Sequence, residues 1–487
     1  MSDSMTIIAS LVIPLIGAIG IILAGRVNAN LRESVTLITA GALAWTVWSL
    51  LPEVLAGGRP AVSLTEIVPG IEIAFRVEPL GMLFAALASG LWIVNSIYSI
   101  GYMRGNKEKN QTRFYTFFAI ALSAAMGIAF SANLFTLFLF YEVLTLSTYP
   151  LVSHKGDEKT VRSARIYLGV LLTTSIGLLL PAIIWTYVVA GTGDFTMGGI
   201  LAGKVDGPEV GLLLGLFVFG VGKAAVMPVH RWLPAAMVAP TPVSALLHAV
   251  AVVKAGVFTI TKVIVYIFGI DFLAESPSGD WLMYAAAFTI IAASIVALKQ
   301  QNLKRLLAYS TIAQLSYVVM ATAILKPLAE IGAAIHMVAH AFGKITLFFA
   351  AGAIYVASKK TELHQLRGIG RRMPWTMAAF TIGALSMIGV PPTGGFVSKW
   401  YILAGAFEAD NYVAIATIIA STVLNAAYFL PIIYFAWFEP EQPGTDNDHG
   451  EAPLFAVLAL TITAALTIGF FLFNATALEL GRQLVSP

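Results

Sequence analysis

The chain has 487 residues, 58% of them hydrophobic and 11% charged, with a mean hydropathy of +0.84 and a formal net charge of +3. Soluble domains carry about 25% charged residues, and the apolar runs here continue for about 20 residues instead of alternating, which excludes a soluble fold and a lipid-facing β-barrel. Cysteine is absent, so disulfides, thiolate catalysis and cysteine-ligated iron–sulfur clusters are excluded, and any electron transfer has to happen in a partner.

The first apolar run, Met5 to Gly25, lacks a basic n-region and a small-residue cleavage site and reads as the first span, not a removable signal. Further spans are expected at roughly 31–51, 79–102, 114–130, 134–152, 163–190, 210–234, 242–268, 281–298, 303–323, 329–357, 374–405, 411–438 and 454–477, about fourteen in all. Bases gather in the odd-numbered loops, among them Arg104, Lys107, Lys109 and Arg113, then Lys155, Lys159, Arg162 and Arg165, then Lys359, Lys360, Arg367, Arg371 and Arg372. Acids such as Glu66, Glu72, Asp194, Asp206 and Asp271 gather in the even-numbered ones. The positive-inside rule therefore puts the odd loops in the cytoplasm and both termini outside. Glu439 to Glu451 dissents, being acidic in an odd loop, but the rule counts Lys and Arg rather than net charge.

Between the second and third spans, Val62 to Val77 alternates around Pro69-Gly70 and predicts a short hairpin on the outer surface. An internal repeat overlays Ala132–Val152 on Gln301–Ala321, with Asn, Leu and Ser in step at 133/302, 134/303 and 147/316. Five spans further, Gly222-Lys223 before Pro228 is answered by the run Gly389 to Lys399. A repeated unit with an odd number of spans must be inverted in the membrane, an arrangement that sets transport sites at the midplane beside broken helices.

Charges inside these spans are the residues to explain, since each costs roughly 2.5–3.5 kcal/mol unpaired at the bilayer centre. Glu142 lies mid-span, where it is either a structural partner or a titrating acid in a proton path. Lys223 is its matching cation, in a span loosened by Gly220, Gly222 and Pro228 that can line a polar cavity. Burial lowers a lysine's proton affinity and a nearby carboxylate raises it, so relative motion of Glu142 and Lys223 can load and unload a proton. His248 and Lys254 follow in the next span, six residues apart and so on different faces of a regular helix. His336, His340 and Lys344 recur at i, i+4 and i+8, one stripe of one helix suited to a proton relay. A metal site there lacks a third ligand, and the lysine would repel a cation. Lys399, after Pro391-Pro392 and Gly394-Gly395, is either a second Lys223 or a lysine snorkelling to the surface. No phosphate-binding loop or nucleophile elbow is present, and topology explains the basic loops without nucleic acid.

The run GKAAVMPVHRWLPAAMVAPTPVSALLHAVAVVKAG resembles the signature of the proton-translocating antiporter-like subunits shared by respiratory complex I and Mrp-type multisubunit Na+/H+ antiporters. YEVLTLSTYPL, HMVAHAFGKITLFFAAG and GVPPTGGFVSKW resemble three further motifs, so the likeness covers nearly the whole chain. It implies an all-α integral membrane protein of about fourteen transmembrane helices, with two inverted five-helix repeats and broken helices 7 and 12. The corresponding division is 1–112 (helices 1–3 with the hairpin), 113–270 (first repeat), 271–440 (second repeat) and 441–487 (helix 14). Glu142 and Lys223 are then the ion pair of the first half, His248 and Lys254 continue the path, His336, His340 and Lys344 form the second-half connection, and Lys399 is terminal. The lysine at 399, the size and the absence of a long lateral amphipathic helix make the D-type subunit of an Mrp antiporter the best likeness. Protons, Na+ as the exchanged ion, other subunits of the complex and the lipid bilayer are the implied partners, with no cofactor and no metal. The alternative is the proton-pumping membrane subunit of a redox complex.

Overall fold

The computed structural model describes residues 2–441 and 449–485, His248 by its backbone alone. The helices are α1 (Asp3–Gly25), α2 (Ala29–Leu55), α3 (Pro79–Gly105), α4 (Gln111–Ala129), α5 (Leu134–Val152), α6 (Glu158–Ala190), α7 (Gly207–Gly220), α8 (Thr241–Phe268), α9 (Pro277–Leu298), α10 (Leu303–Ala323), α11 (Pro327–Ser358), α12 (Pro374–Ile388), α13 (Gly394–Glu408), α14 (Tyr412–Phe438), α15 (Leu454–Leu472) and α16 (Ala475–Val485). Among the described residues, 12 of these are long and apolar enough to cross a membrane. The expected span 210–234 instead stops at Gly220 and continues as single turns at Gly222–Ala224 and Trp232–Ala235. The expected span 374–405 is cut into α12 and α13 by the Gly389–Thr393 linker. The expected span 454–477 ends early, at Leu472, and α16 is a separate helix.

The asparagines that recur in step have the same structural job. Asn133 accepts a hydrogen bond from Thr136 N at 2.8 Å and starts α5, while Asn302 accepts from Arg305 N at 3.2 Å and starts α10. Each thereby satisfies a backbone donor that a helix start leaves open.

The loops sort to two ends of the bundle. At one end lies the hairpin, β1 (Ala61–Val68) paired antiparallel with β2 (Ile71–Arg76) through the Pro69-Gly70 turn. Gly70 has φ +83° there, which a side chain would resist. Ala132 N donates to Ala74 O and Arg76 N to Phe130 O, while Ile200 N donates to Ile267 O, so the second, fourth, sixth and eighth connections meet at this end. At the other end Arg113 donates to His154 O, Lys304 to Ala239 O and Lys359 to Asn106 Oδ1, which joins the basic connections. The dissenting acidic loop has its reason here. Glu439 pairs with Arg367 at 2.9 Å, Glu441 with Arg372 at 2.9 Å, and Glu451 accepts from Trp375 N and Thr376, so its described acids are held by the basic loop before α12 and by the first turn of α12.

At the centre, α8 and α11 are buried along nearly their whole length. α8 is not a uniform helix: it widens to a five-residue repeat at Leu247–Ala251 and again at Ile264–Phe268. Such widened turns recur at functional sites.

Candidate proton axis

Five lysines, Lys223, Lys254, Lys262, Lys344 and Lys399, are buried in this bundle. Left unpaired at roughly 2.5–3.5 kcal/mol each, they would consume a stability of about 5–15 kcal/mol. Each is therefore expected to have bonded partners, and each does.

Lys223 is fully buried on the single turn after α7 breaks. Its Nζ donates to Tyr141 O at 2.9 Å and to Thr145 Oγ1 at 2.5 Å, and it sits 3.0 Å from the Tyr141 ring centroid. Its backbone N donates to the Tyr141 hydroxyl at 3.1 Å, so one α5 tyrosine holds both ends of the lysine. The turn is clamped from α8 by Gly256, where a Cβ would come within 2.2 Å of Ala224 N. The expected direct ion pair with Glu142 is not formed within 4.0 Å. Glu142 follows Tyr141 on α5 and is half-buried, its Oε1 closed off without a hydrogen-bond partner. The lysine turns to the Tyr141 carbonyl instead, and Glu142 acts on it through space.

Lys254 on α8 lies 2.7 Å from His340 Nδ1 on α11. One turn along α11, the His336 ring is 6.1 Å from the His340 ring, and its Nδ1 hydrogen-bonds Ser398 Oγ at 2.8 Å. The Nε2 atoms of both histidines are buried without a partner. The Tyr317 ring of α10 is 5.5 Å from His336 on one side and 5.1 Å from Lys399 Nζ on the other. Lys399 Nζ donates to Met387 O at 3.0 Å and Ile388 O at 2.9 Å, the final carbonyls of α12, and contacts Thr422 Oγ1 at 3.4 Å. A helix C-terminus attracts a cation, and at 7% exposure Lys399 is an inward lysine, not a snorkelling one. Lys344 completes the α11 stripe but turns to Leu307 O at 3.3 Å, off the line that joins His340 to His336. Among the described residues no group of three or more His, Cys, Asp or Glu side chains converges on a metal position. The side chain of His248 lies outside the described residues, and the widened turn that carries it breaks the regular phase from which its face relative to Lys254 is expected.

Residues 131–425 match the family described as NADH:quinone oxidoreductase/Mrp antiporter, TM. The chain belongs to this family. NADH-quinone oxidoreductase subunit N of Desulforudis audaxviator is 32% identical over 98% of this chain and 96% of that protein. A probable A/B subunit of a K(+)/H(+) antiporter of Rhizobium meliloti is 31% identical over 90% of this chain but only 44% of its own length. The fold matches chains in the Mrp complex of Dietzia sp. DQ12-45-1b (TM-score 0.86, 21% identity, 100% of this chain and 97% of that one) and in an archaeal membrane-bound sulfane sulfur reductase (TM-score 0.86, 23% identity, 99% and 98%). This chain is thus an antiporter-like, multi-pass membrane subunit of the kind found in multisubunit complexes.

Family motifs do not account for every buried charge. Lys262 pairs with Glu78 at 3.1 Å, and Glu330 is wholly buried, all three near the hairpin end. They sit close to expected span ends, where charge is ordinary. Only the i, i+8 spacing of Lys254 and Lys262 on α8 signals an inward position in the sequence.

Proposed function

We propose that this chain is the proton-translocating subunit of a multisubunit monovalent cation/proton antiporter, with Na+ as the exchanged ion. The observation that carries the reading is the series of neighbours Lys254–His340–His336–Tyr317–Lys399, joined by a 2.7 Å hydrogen bond and then by ring separations of 6.1, 5.5 and 5.1 Å, with Lys223 at the other broken helix. Proton uptake occurs near Lys223 under the field of Glu142, transfer runs through His248, Lys254, His340 and His336 with Lys344 as a side branch, and release occurs near Lys399. Histidines with one free ring nitrogen can accept on one side and donate on the other, which a relay needs. Cation exchange is coupled through partner subunits in the cytoplasmic membrane, with both termini outside. Fourteen spans in two inverted repeats, 113–270 and 271–440, fit this reading, as do the paired caps Asn133 and Asn302 and the two interrupted helices. Within the antiporter class, the D-type subunit is the assignment we favour.

A second reading, the proton-pumping membrane subunit of a complex I-like or hydrogenase-like redox complex, is favoured by the match to the Desulforudis oxidoreductase protein over nearly both full lengths. Purifying the intact complex and identifying its subunits separates the two. Small antiporter subunits and Na+-driven proton movement without an electron donor support the first reading, whereas co-purifying flavin or iron–sulfur subunits overturn it in favour of the second.

A further inference from the structure

The axis leaves a second set of buried ionisable groups unused. Lys262 lies eight residues beyond Lys254 on the same stripe of α8, about 12 Å closer to the hairpin end. Its ammonium donates to Ser131 O at 2.5 Å and pairs with Glu78 at 3.1 Å, with both side chains closed off from the surface. One turn further, the Tyr266 hydroxyl is buried without a hydrogen-bond partner and lies within electrostatic reach of both Glu78 and Glu330. Glu330, in the first turn of α11, is 0% exposed, and neither of its carboxyl oxygens has a partner. Close approach of α11 to α13 at Gly332 and Gly405 helps to seal it in, since a Cβ on either glycine would meet Ile402 or Ala329 within 3 Å.

A structural role explains part of this set. The Glu78–Lys262 pair ties α3 to α8, and a carboxylate suits a helix start. It does not explain a carboxyl with two unsatisfied oxygens within electrostatic reach of a tyrosine hydroxyl that also lacks a partner, because buried polar atoms ordinarily find partners. Between Lys254 and Lys262 along α8 stands the apolar Phe258, whose ring is 5.6 Å from Lys262 Nζ. The Thr261 and Thr322 hydroxyls, 3.2 Å apart, offer a polar step beside it.

We propose that Glu78, Lys262, Tyr266 and Glu330 form a proton-release branch by which Lys254 discharges to the hairpin end of the bundle. The Lys262 ammonium gives its proton to the Glu78 carboxylate, leaving an amine and a carboxylic acid. Glu330 and the Tyr266 hydroxyl carry that proton outward, and the Lys262 amine is refilled from Lys254. Only N–H and O–H bonds change. Arg76 and Arg59 are the other charges acting on the cluster, the first on Lys262 and the second on Tyr266. This inference rests on the proton-translocating reading, and the two fail separately.

The test measures proton translocation by the intact complex in proteoliposomes, expressed per assembled complex, so a variant that assembles poorly still gives a rate. Glu330→Gln and the neutralised pair Glu78→Gln/Lys262→Met are each expected to slow translocation at least about tenfold, with Glu330→Asp recovering part of the loss. Wild-type rates in Glu330→Gln and in the neutralised pair, alongside a dead Lys254→Met, overturn the branch and leave the axis standing. A wild-type rate in Lys254→Met overturns the axis itself. Where a variant yields no complex, infrared difference spectra of the wild-type complex decide: the branch requires a carboxylic-acid band that changes on transport, and a spectrum without one overturns it.

Discussion

The two broken helices solve the problem of a buried lysine in opposite ways. After α7 the break carries the lysine itself: Lys223 sits on the interrupting turn and reaches across to Tyr141 and Thr145 of an intact helix. Between α12 and α13 the break supplies the acceptors, and Lys399 reaches back to the Met387 and Ile388 carbonyls that end α12. Glycines seal both: Gly256 over Ala224, and Gly395, where a Cβ would lie 1.8 Å from Ser386 O. Lys223 thus depends on one carbonyl, the Thr145 hydroxyl and Glu142 nearby, whereas Lys399 depends chiefly on two backbone carbonyls, with Thr422 only at 3.4 Å. In this account Lys223 is the tunable end of the axis and Lys399 the fixed one.

That contrast can be broken experimentally. The largest effect is expected at Lys223→Ala, which should cut proton translocation per assembled complex by about 100-fold. Glu142→Gln should cut it at least about tenfold, and equal activity of both variants to wild type would remove the tunable end. Loss of assembly comes next. Gly256→Val and Gly395→Val each force backbone apart at a break and should cost about 1–3 kcal/mol or more, read as a lower yield of intact complex and a lower Tm by detergent thermal shift. A smaller effect separates the two lysines. Thr145→Val removes a bond to Lys223 at 2.5 Å and should slow transport several-fold, while Thr422→Val removes only a 3.4 Å contact to Lys399 and should leave it nearly unchanged. Equal losses in the two valine variants would deny the asymmetry.

The smallest effect lies outside the membrane. Asp157 caps α6 by accepting from Thr160 N at 2.7 Å, and that bond holds its carboxyl below the ordinary carboxylate range. A depressed carboxyl contributes stability above its unfolded value and loses it as pH falls through the lowered folded value. Asp157→Ala should therefore lower Tm slightly at neutral pH, with the difference from wild type vanishing in acid.

Much of the fold was readable from residue order alone. Continuous apolar runs announced the spans, Pro69-Gly70 the hairpin, and Gly220 to Pro228 and Gly389 to Gly395 the two interruptions, because each rests on a local rule of backbone geometry or solvation. The stripe His336, His340 and Lys344 was readable too, but not its partition: only packing sends His340 to Lys254, His336 to Ser398 and Lys344 to Leu307. The expected Glu142–Lys223 contact failed for a related reason. Adjacent residues on α5 compete for the lysine, and the Tyr141 carbonyl wins. Tyr317, Glu330 and the Glu78–Lys262 pair went unread because an aromatic within a span and charges at span ends look ordinary until the helices are assembled.

On the proposed path, protons cross from Lys254 to the second half through His340. Its most direct test is Na+-driven proton movement in proteoliposomes holding the intact complex with His340→Ala, compared with wild type at equal subunit stoichiometry. Translocation is expected to fall to roughly a tenth or less while assembly is kept. An assembled His340→Ala complex that moves protons at the wild-type rate would contradict it.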